Sequence, residues 1–352
     1  MARAVFTPYS AFNELSEGQG ILVLRMDDKL GDSVTATGFL RELKAKNKNQ
    51  KLVVVAGPAT AAIYRRLSYI DRVLISKKGI LPTLKLFFKL KQCKYNFIIN
   101  TSHILNPRVI FLASLLSAHK KISFANKTVK LFTHHIEIDF KTEHVTGRYR
   151  KVLELLAYTD SNLDYQITLD TESQSAAKQY IDQLRKKARN IIVLNSFSGA
   201  RLRNFNQKTS TAIVRKLLEN PDVLVLSLAN FGDHNILSSW IDNSFNGRWI
   251  NNPNLSSIEM NMALLDQCDL IITPDTAWVH IASALKKKLV AVYRKDDNSE
   301  EVNSVIWAPY KTEACVIFAE STAENPDDIN NVNTDEIVQA AFKMLGLQLG
   351  LK

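Results

Sequence analysis

The sequence predicts an α/β protein of two doubly wound domains, each a parallel sheet covered by helices on both faces. Three observations lead there. Short apolar runs rich in branched residues alternate with stretches of helical period along nearly the whole chain. The alternation lapses once, around residues 160–175, where "DSNLDYQITLDTESQ" is polar and weakly patterned. The length of 352 residues suits two domains of ordinary size. Domains are therefore expected over residues 1–165 and 166–352.

In the first half, "GILVLR" (20–25) is short, apolar and branched, hence a buried strand. "SVTATGFLRELKAKN" places Val34, Leu40 and Leu43 near one face and predicts a helix. "KLVVVAG" (51–57) is a second strand, closed by Gly57-Pro58; "ATAAIYRRL" is a helix and "RVLIS" (72–76) a strand. "LPTLKLFFKLKQ" has apolar residues at helical spacing with lysines between them. "NFIINTS" (96–102) is a strand, and "PRVIFLASLLSA" a helix begun by proline. "EHVTGRYRKVLELLAY" (143–158) is a longer helix. The second half repeats the scheme. Strands are expected at 190–197, 222–229, 269–275 and 289–293, with helices at "KTSTAIVRKLLEN", "SIEMNMALLDQC", "TAWVHIASALKKK" and "TDEIVQAAFKMLG". Repeated strand–helix alternation argues for parallel sheets. Ligands in such folds bind at the carboxyl ends of strands, so the natural site is a cleft between two such domains.

Composition narrows the class. Apolar residues make up 46% and charged residues 23%, as in globular proteins. The three cysteines, Cys93, Cys268 and Cys315, are odd in number and far apart, which fits buried thiols in a reducing compartment. "MARAVFTPYSAFNEL" has no continuous apolar core of secretory type, and no window holds 18 uninterrupted apolar residues. A cytoplasmic protein without a membrane span is expected. The formal charge of +10 is unevenly spread. Residues 1–160 hold 26 Lys+Arg against 12 Asp+Glu, whereas the remainder holds 19 against 23. A basic first half points to an anionic partner: nucleic acid, a membrane surface or a phosphorylated substrate. The plain alternative is a solvated basic face.

Four loops lie where a strand hands over to a helix. In "RMDDKLGDSVT" (25–35), Gly31 permits a tight turn and Asp32 falls at the expected N-cap of the next helix. Asp32 is then either a cap or a general base. An aspartate takes a sugar hydroxyl's proton only when that hydroxyl turns acidic in the transition state, which requires a good leaving group such as a nucleoside diphosphate. In "NSFSGARLRNF" (195–205), small residues let backbone N–H groups approach phosphate, and Arg201 and Arg203 supply fixed donors; a surface turn with two solvated arginines reads equally well. In "LIITPDTAWVHIASAL" (270–285), a helix begins after Pro274-Asp275-Thr276. His280 lies four residues beyond Thr276, so both can share a side. They suit an anion site; equally, Asp275 reads as another helix cap and His280 as a hydrogen-bonded core histidine. "SLANFGDHN" (227–235) ends a strand with Asp233, where an acidic side chain suits ribose hydroxyls. No GxGxxG, GxxxxGK[ST], HExxH or CxxC motif occurs, and Asp27-Asp28 is not a DxD pair. A mechanism without metal or cofactor is the simpler expectation.

Together these stretches resemble glycosyltransferase family 9, the bacterial heptosyltransferases. "ILVLRMDDKLGDSVTATGFLRELKAKNKNQKLVVVAGP" resembles that family's opening of apolar strand, Arg, Gly-Asp loop, helix and second strand. "CDLIITPDTAWVHIASALKKKLVAVY" resembles its Asp-Thr-Gly-x-x-His-x-Ala-x-Ala signature, with Ala277 in the glycine's place. "NSFSGARLRNF" stands where the family has a phosphate loop, with Arg203-Asn204-Phe205-Asn206 replacing basic-x-Trp-Pro; "EHVTGRYRKVLELL" is similar to the helix before the domain boundary. The matches come in order across residues 20–295.

The resemblance implies a GT-B fold of two facing Rossmann-like domains, an N-terminal one for the acceptor and a C-terminal one for the donor. It implies inverting transfer of heptose from ADP-heptose to an anionic, lipid-linked saccharide such as the lipopolysaccharide inner core. Asp32 is then the general base. Ser198, Gly199, Arg203, Asp233, Asp275, Thr276, Ala277 and His280 bind the donor. Gly31, Lys77 and Lys78 lie at the acceptor, with the "LKLFFKLKQCK" helix against the acceptor or the cytoplasmic face of the inner membrane. Alternatives within the class are another nucleotide sugar or a protein acceptor. Outside it stands a non-catalytic nucleotide-sugar-binding protein. No aromatic platform or helix-turn-helix pattern supports nucleic acid.

Overall fold

An all-apolar parallel strand must be covered on both sides, and the chain meets that demand twice. A computed structural model describes residues 20–125, 129–199, 203–230, 232–252, 257–295, 301–321 and 328–348. The amino-terminal stretch "MARAVFTPYSAFNEL" and Arg201 lie outside these residues. The chain divides into two units. The first comprises Met1–Asp139 and Val145–Leu163, the second Phe140–His144 and Asp164–Lys352. Sequence reasoning expected a single passage near residue 165. It could not show that five residues ahead of the "TGRYRKVLEL" helix belong to the second unit.

The first unit contains β1 (Gly20–Arg25), β2 (Leu52–Ala56), β3 (Arg72–Ile75), β4 (Tyr95–Asn100), β5 (Ala118–Ser123) and β6 (His134–His135). They form one parallel sheet in the order β3-β2-β1-β4-β5-β6. Every residue of β1, β2 and β4 is buried. Leu22, Leu24, Val53, Val55 and Ile98 share one core with Leu86 and Leu90 of helix Ile80–Leu90 and with Val109 and Leu112 of helix Pro107–Leu115. Asn106 starts the latter helix by accepting from the Val109 N–H at 3.1 Å, and Pro107 fills its first position.

The second unit contains β7 (Asn190–Asn195), β8 (Val223–Leu228), β9 (Trp249–Asn251), β10 (Leu270–Pro274), β11 (Lys288–Arg294) and β12 (Ala314–Ala319). Its sheet, again parallel, has the order β12-β11-β10-β7-β8-β9. Numbered within the unit, this is the same order as in the first. In both, the crossovers run one way after the first strand and the other way after the fourth. The reversal leaves a crevice at the carboxyl ends of these two neighbours, the site where doubly wound sheets bind ligands.

Several expectations change. The helix foreseen from Ser33 is two, Leu30–Thr35 and Thr37–Lys46, parted at Ala36. Thr35 and Thr37 hydroxyls donate back to the Asp32 and Val34 carbonyls at 2.9 and 2.7 Å, the back-bonding that bends helices. β5, β6, β9 and β12 went unread: β6 and β9 are short and β5 carries lysines among its apolar residues, whereas the apolar run "ACVIFA" of β12 was passed over. Helix Thr171–Leu184 was also missed, although Asp170 caps it and Ala177, Ile181 and Leu184 keep its apolar spacing. Among the described residues, no helix is long and apolar enough to cross a membrane.

The segment Phe140–His144 is fixed to the second unit at both ends. The Phe140 carbonyl accepts from the Val302 N–H at 3.0 Å. The His144 ring stacks on Tyr310 at 5.2 Å, and its Nε2 lies 3.2 Å from the Ala308 carbonyl. Burial lowers the His144 pKa below its ordinary value of 6.5, partly opposed by the Ala308 contact. The unfolded chain thus takes up this proton first. The stability held by the neutral ring is full above about pH 6.5 and is lost as pH falls below it. His144→Phe keeps the stack but cannot charge. Its melting temperature is expected to drop less than the wild type's between about pH 7 and about pH 5.5, read by differential scanning fluorimetry.

Candidate active site

In the first unit the sequence puts a lone cation at the end of a buried strand, and that cation organises the crevice. Arg25 closes β1 and is only 3% exposed. Its Nη1 donates to the Thr101 carbonyl, just past β4, at 2.8 Å. Its Nη2 meets Asp32 Oδ2 at 2.5 Å, and its Nε lies 3.4 Å from Asp27 Oδ1. One guanidinium thus spans both sides of the crossover reversal and gathers two carboxylates. Burial pulls the Arg25 pKa down, but Asp32 and Asp27 more than offset this and raise it, so Arg25 stays charged.

Asp32 is not the cap that the sequence suggested. Helix Leu30–Thr35 starts two residues earlier, with Lys29 before it, and Asp32 stands in its first turn. There the carboxylate faces Arg25, although some of its surface remains accessible. Gly31 is part of this helix, not of a tight turn. The three carboxylates of the loop have three placements. Asp32 and Asp27 pair with Arg25, whereas Asp28 is exposed and its Oδ1 accepts from the Ala59 N–H at 3.0 Å. That contact explains Gly57: a Cβ there would stand 2.6 Å from the Asp27 carbonyl oxygen and 2.1 Å from Asp28 Oδ1. Lys77 and Lys78 are exposed beyond the end of β3.

The second unit repeats the device with neutral groups. Asn195 closes β7 and is buried; its Nδ2 donates to Thr273 Oγ1 of β10 at 2.9 Å and lies 3.4 Å from Thr276 Oγ1. Thr276 caps helix Ala277–Ala284 by accepting from the Trp278 N–H at 3.2 Å, so the cap is Thr276 and not Asp275. Asp275 instead pairs with Arg203, Nη1 to Oδ2 at 2.9 Å. The loop after β7 is held where the Ser198 N–H donates to Asn204 Oδ1 at 2.7 Å and the Phe205 N–H to the Ser196 carbonyl at 2.9 Å. Phe205 is fully buried in the core of this unit, so it offers no ring to a ligand. Gly199 is exposed, with open space where a Cβ would stand.

Structure thus brings Arg203, Asp275, Thr276 and Ala277 together, with Ser198 and Gly199 on the neighbouring strand end. His280 is set apart in a buried cluster of rings, 6.0 Å from Tyr165 and 5.8 Å from Trp307 between centroids. Asp233 stands before helix His234–Trp240, makes no side-chain cap, and has its pKa raised by burial. Sequence reasoning passed over Arg25 and Asn195 as site residues. The signal was present: each is the polar end of an otherwise apolar run, "GILVLR" and "NIIVLN".

Two Rossmann sheets of one topology, each with polar groups clasped across its first and fourth strands, make up the GT-B build of glycosyltransferases. The pattern of glycosyltransferase family 9 (heptosyltransferase) matches residues 83–331, and the chain belongs to that family. Solved structures agree in fold. A family 9 glycosyl transferase from Veillonella parvula has a TM-score of 0.77 at 19% identity, covering 94% of this chain and 99% of that one. The E. coli ADP-heptose lps heptosyltransferase II scores 0.73 at 16% identity, covering 93% and 98%. E. coli heptosyltransferase WaaC with ADP scores 0.70 at 13%, covering 93% and 100%. A search of the curated proteins found no match.

Arg25→Met removes the shared cation and leaves two carboxylates, one of them buried, without their partner. The expected cost is about 3–5 kcal/mol, as for other broken buried pairs, read as a lower urea midpoint. Arg25→Lys, a point charge without the guanidinium fork, should recover only a fraction of it.

Proposed function

We propose that this glycosyltransferase moves a heptose from ADP-heptose to an anionic, lipid-linked saccharide of the lipopolysaccharide inner core, with inversion. The observation that carries this reading is the Asp32 carboxylate, fixed by Arg25 at the carboxyl ends of β1 and β4. An acceptor hydroxyl placed there gives its proton to Asp32 as its oxygen attacks the anomeric carbon. The bond from that carbon to the diphosphate oxygen breaks, and ADP leaves. One displacement on the face opposite the leaving group inverts the centre.

The second unit suits the donor. Arg203, steadied by Asp275, offers donors to the diphosphate beside the small loop at Ser198 and Gly199. Thr276, the Ala277 backbone and the positive end of helix Ala277–Ala284 add to the same site. With this much positive potential at the leaving group, the reaction runs without a metal or cofactor. Asp233, beyond β8, takes the ribose hydroxyls; His280, within the helix, anchors it through its contacts with Tyr165 and Trp307. The basic first unit, with Gly31, Lys77 and Lys78 at the strand ends, receives the acceptor's negative charge, and the enzyme works in the cytoplasm at the inner-membrane surface. Ala277 and the buried Phe205 depart from the family's usual Gly and Trp, and favour testing other donors.

Asp32→Asn is expected to lower turnover by about 10²–10⁴-fold, the range for a lost general base, with donor affinity unchanged. A radiolabelled transfer assay reads the first, and thermal shift with ADP-, UDP- and GDP-sugars reads the second. Undiminished turnover would remove Asp32 as the base. Donor binding with no transfer by the wild type would favour a binding protein.

A further inference from the structure

Residues 72–136 contain 12 lysines and arginines and not one aspartate or glutamate. Asp71, just ahead of them, is already paired with Lys44 at 2.7 Å. Two helices of this segment, Ile80–Leu90 and Pro107–Leu115, lie on one face of the sheet, joined where Phe87 meets Phe111 at 6.0 Å. Their inner sides are apolar, as the core requires. Their outer sides are apolar too. Ile80 is 80% exposed, Leu81 71% and Phe88 53%, with Ile104, Ile110 and Leu115 also in the open.

Lysines are interleaved with these residues. Leu81, Lys85, Phe88 and Lys89 follow one another on the exposed stripe, and the Lys91 ammonium lies 4.7 Å from the Phe88 ring centroid. Arg65, Lys77, Lys85 and Lys89 line a cavity of about 690 Å³ floored by Leu81 and Leu86. A merely solvated face would not display so much large apolar surface. Protein–protein interface cores are depleted of lysine, and nucleic-acid surfaces favour aromatic platforms over exposed Ile and Leu. Lysine alternating with exposed Ile, Leu and Phe is instead the pattern of a helix lying at a lipid surface, where long cationic stems keep their charge at the headgroups.

We propose that the outward side of this helix pair docks on an anionic bilayer. Ile80, Leu81 and Phe88 enter the acyl boundary, and Lys77, Lys78, Lys85 and Lys89 meet the headgroup phosphates. The placement has a further point. Ile80 and Leu81 follow β3 and Ile104 follows β4, so the apolar tip stands at the carboxyl edge of the sheet that carries Arg25 and Asp32. A lipid-borne acceptor would arrive at the edge where the base stands. This purpose rests on the transferase reading, but docking itself requires neither nucleotide nor acceptor, so the two fail separately.

The test is flotation of the full chain with phosphatidylcholine vesicles containing about one-quarter phosphatidylglycerol, against pure phosphatidylcholine. The wild type is expected to float with the anionic vesicles, less so as salt rises, and to stay behind with the neutral ones. Leu81→Ser with Phe88→Ser, and separately Lys85→Glu with Lys89→Glu, should each lower partitioning by about tenfold or more at unchanged melting temperature. Three results would overturn the proposal. One is equal flotation with both vesicle types; another is wild-type flotation by the Leu81/Phe88 variant. The third is retention on a DNA oligonucleotide with no flotation, which would assign the charge to nucleic acid.

Discussion

The Arg25 guanidinium is the contact on which the first unit's chemistry depends. A buried cation is expensive unless ion-paired and hydrogen-bonded. Arg25 meets that condition with two carboxylates and the Thr101 carbonyl. These partners come from the loop after β1, the helix after it, and the chain beyond β4. Satisfying one charge therefore fixes the width of the crevice and the direction of Asp32 together. The Asp28–Ala59 contact and the bare Cα of Gly57 hold the other flank of the loop.

The second unit solves the same geometric problem with neutral groups. Asn195 reaches Thr273 and Thr276 as Arg25 reaches Thr101 and Asp32. The difference suits the cargo proposed for each unit. A base site gains from a fixed cation that keeps its carboxylate in place. A diphosphate site is better lined by amides and hydroxyls, with its cation, Arg203, standing nearer the surface on Asp275. Two copies of one topology thus carry two electrostatic designs.

Much of this was legible in the sequence, because fully buried parallel strands are written as uninterrupted apolar runs. β1, β2, β4, β7, β8, β10 and β11 were all foreseen within a residue or two. The strands that escaped notice were edge or near-edge ones. β5 carries Lys120 and Lys121, and β6 and β9 are too short to show a period. Asp32 and Asp275 were picked out as residues at strand-to-helix junctions and assigned to the site as base and donor ligand, with the helix cap as the local alternative; neither is a cap. What they do instead depends on Arg25 and Arg203, and the partner 72 residues from Asp275 cannot be read from local spacing. Helix Ile80–Leu90 was expected at a surface for its lysines, but which of its apolar residues face outward was not legible: apolar residues at helical spacing look like core until one sees which of them the sheet covers.

The chain passes between its two units three times, because Phe140–His144 belongs to the second and Val145–Leu163 returns to the first. Helix Thr146–Leu155 is consequently an organ of the first unit encoded after a detour, and its Tyr149 stacks on Phe39 at 5.0 Å and approaches the Thr35 hydroxyl. No single cut in the gene separates one unit from the other intact. A chimaera that grafts a relative's first unit onto this second one must be spliced at three junctions: a single crossover before Phe140 leaves the helix beside Asp32 with a foreign partner, and one after Leu163 leaves Phe140–His144 foreign to the second unit. The two units are therefore exchangeable whole only as a three-junction graft, even though each sheet is complete in itself.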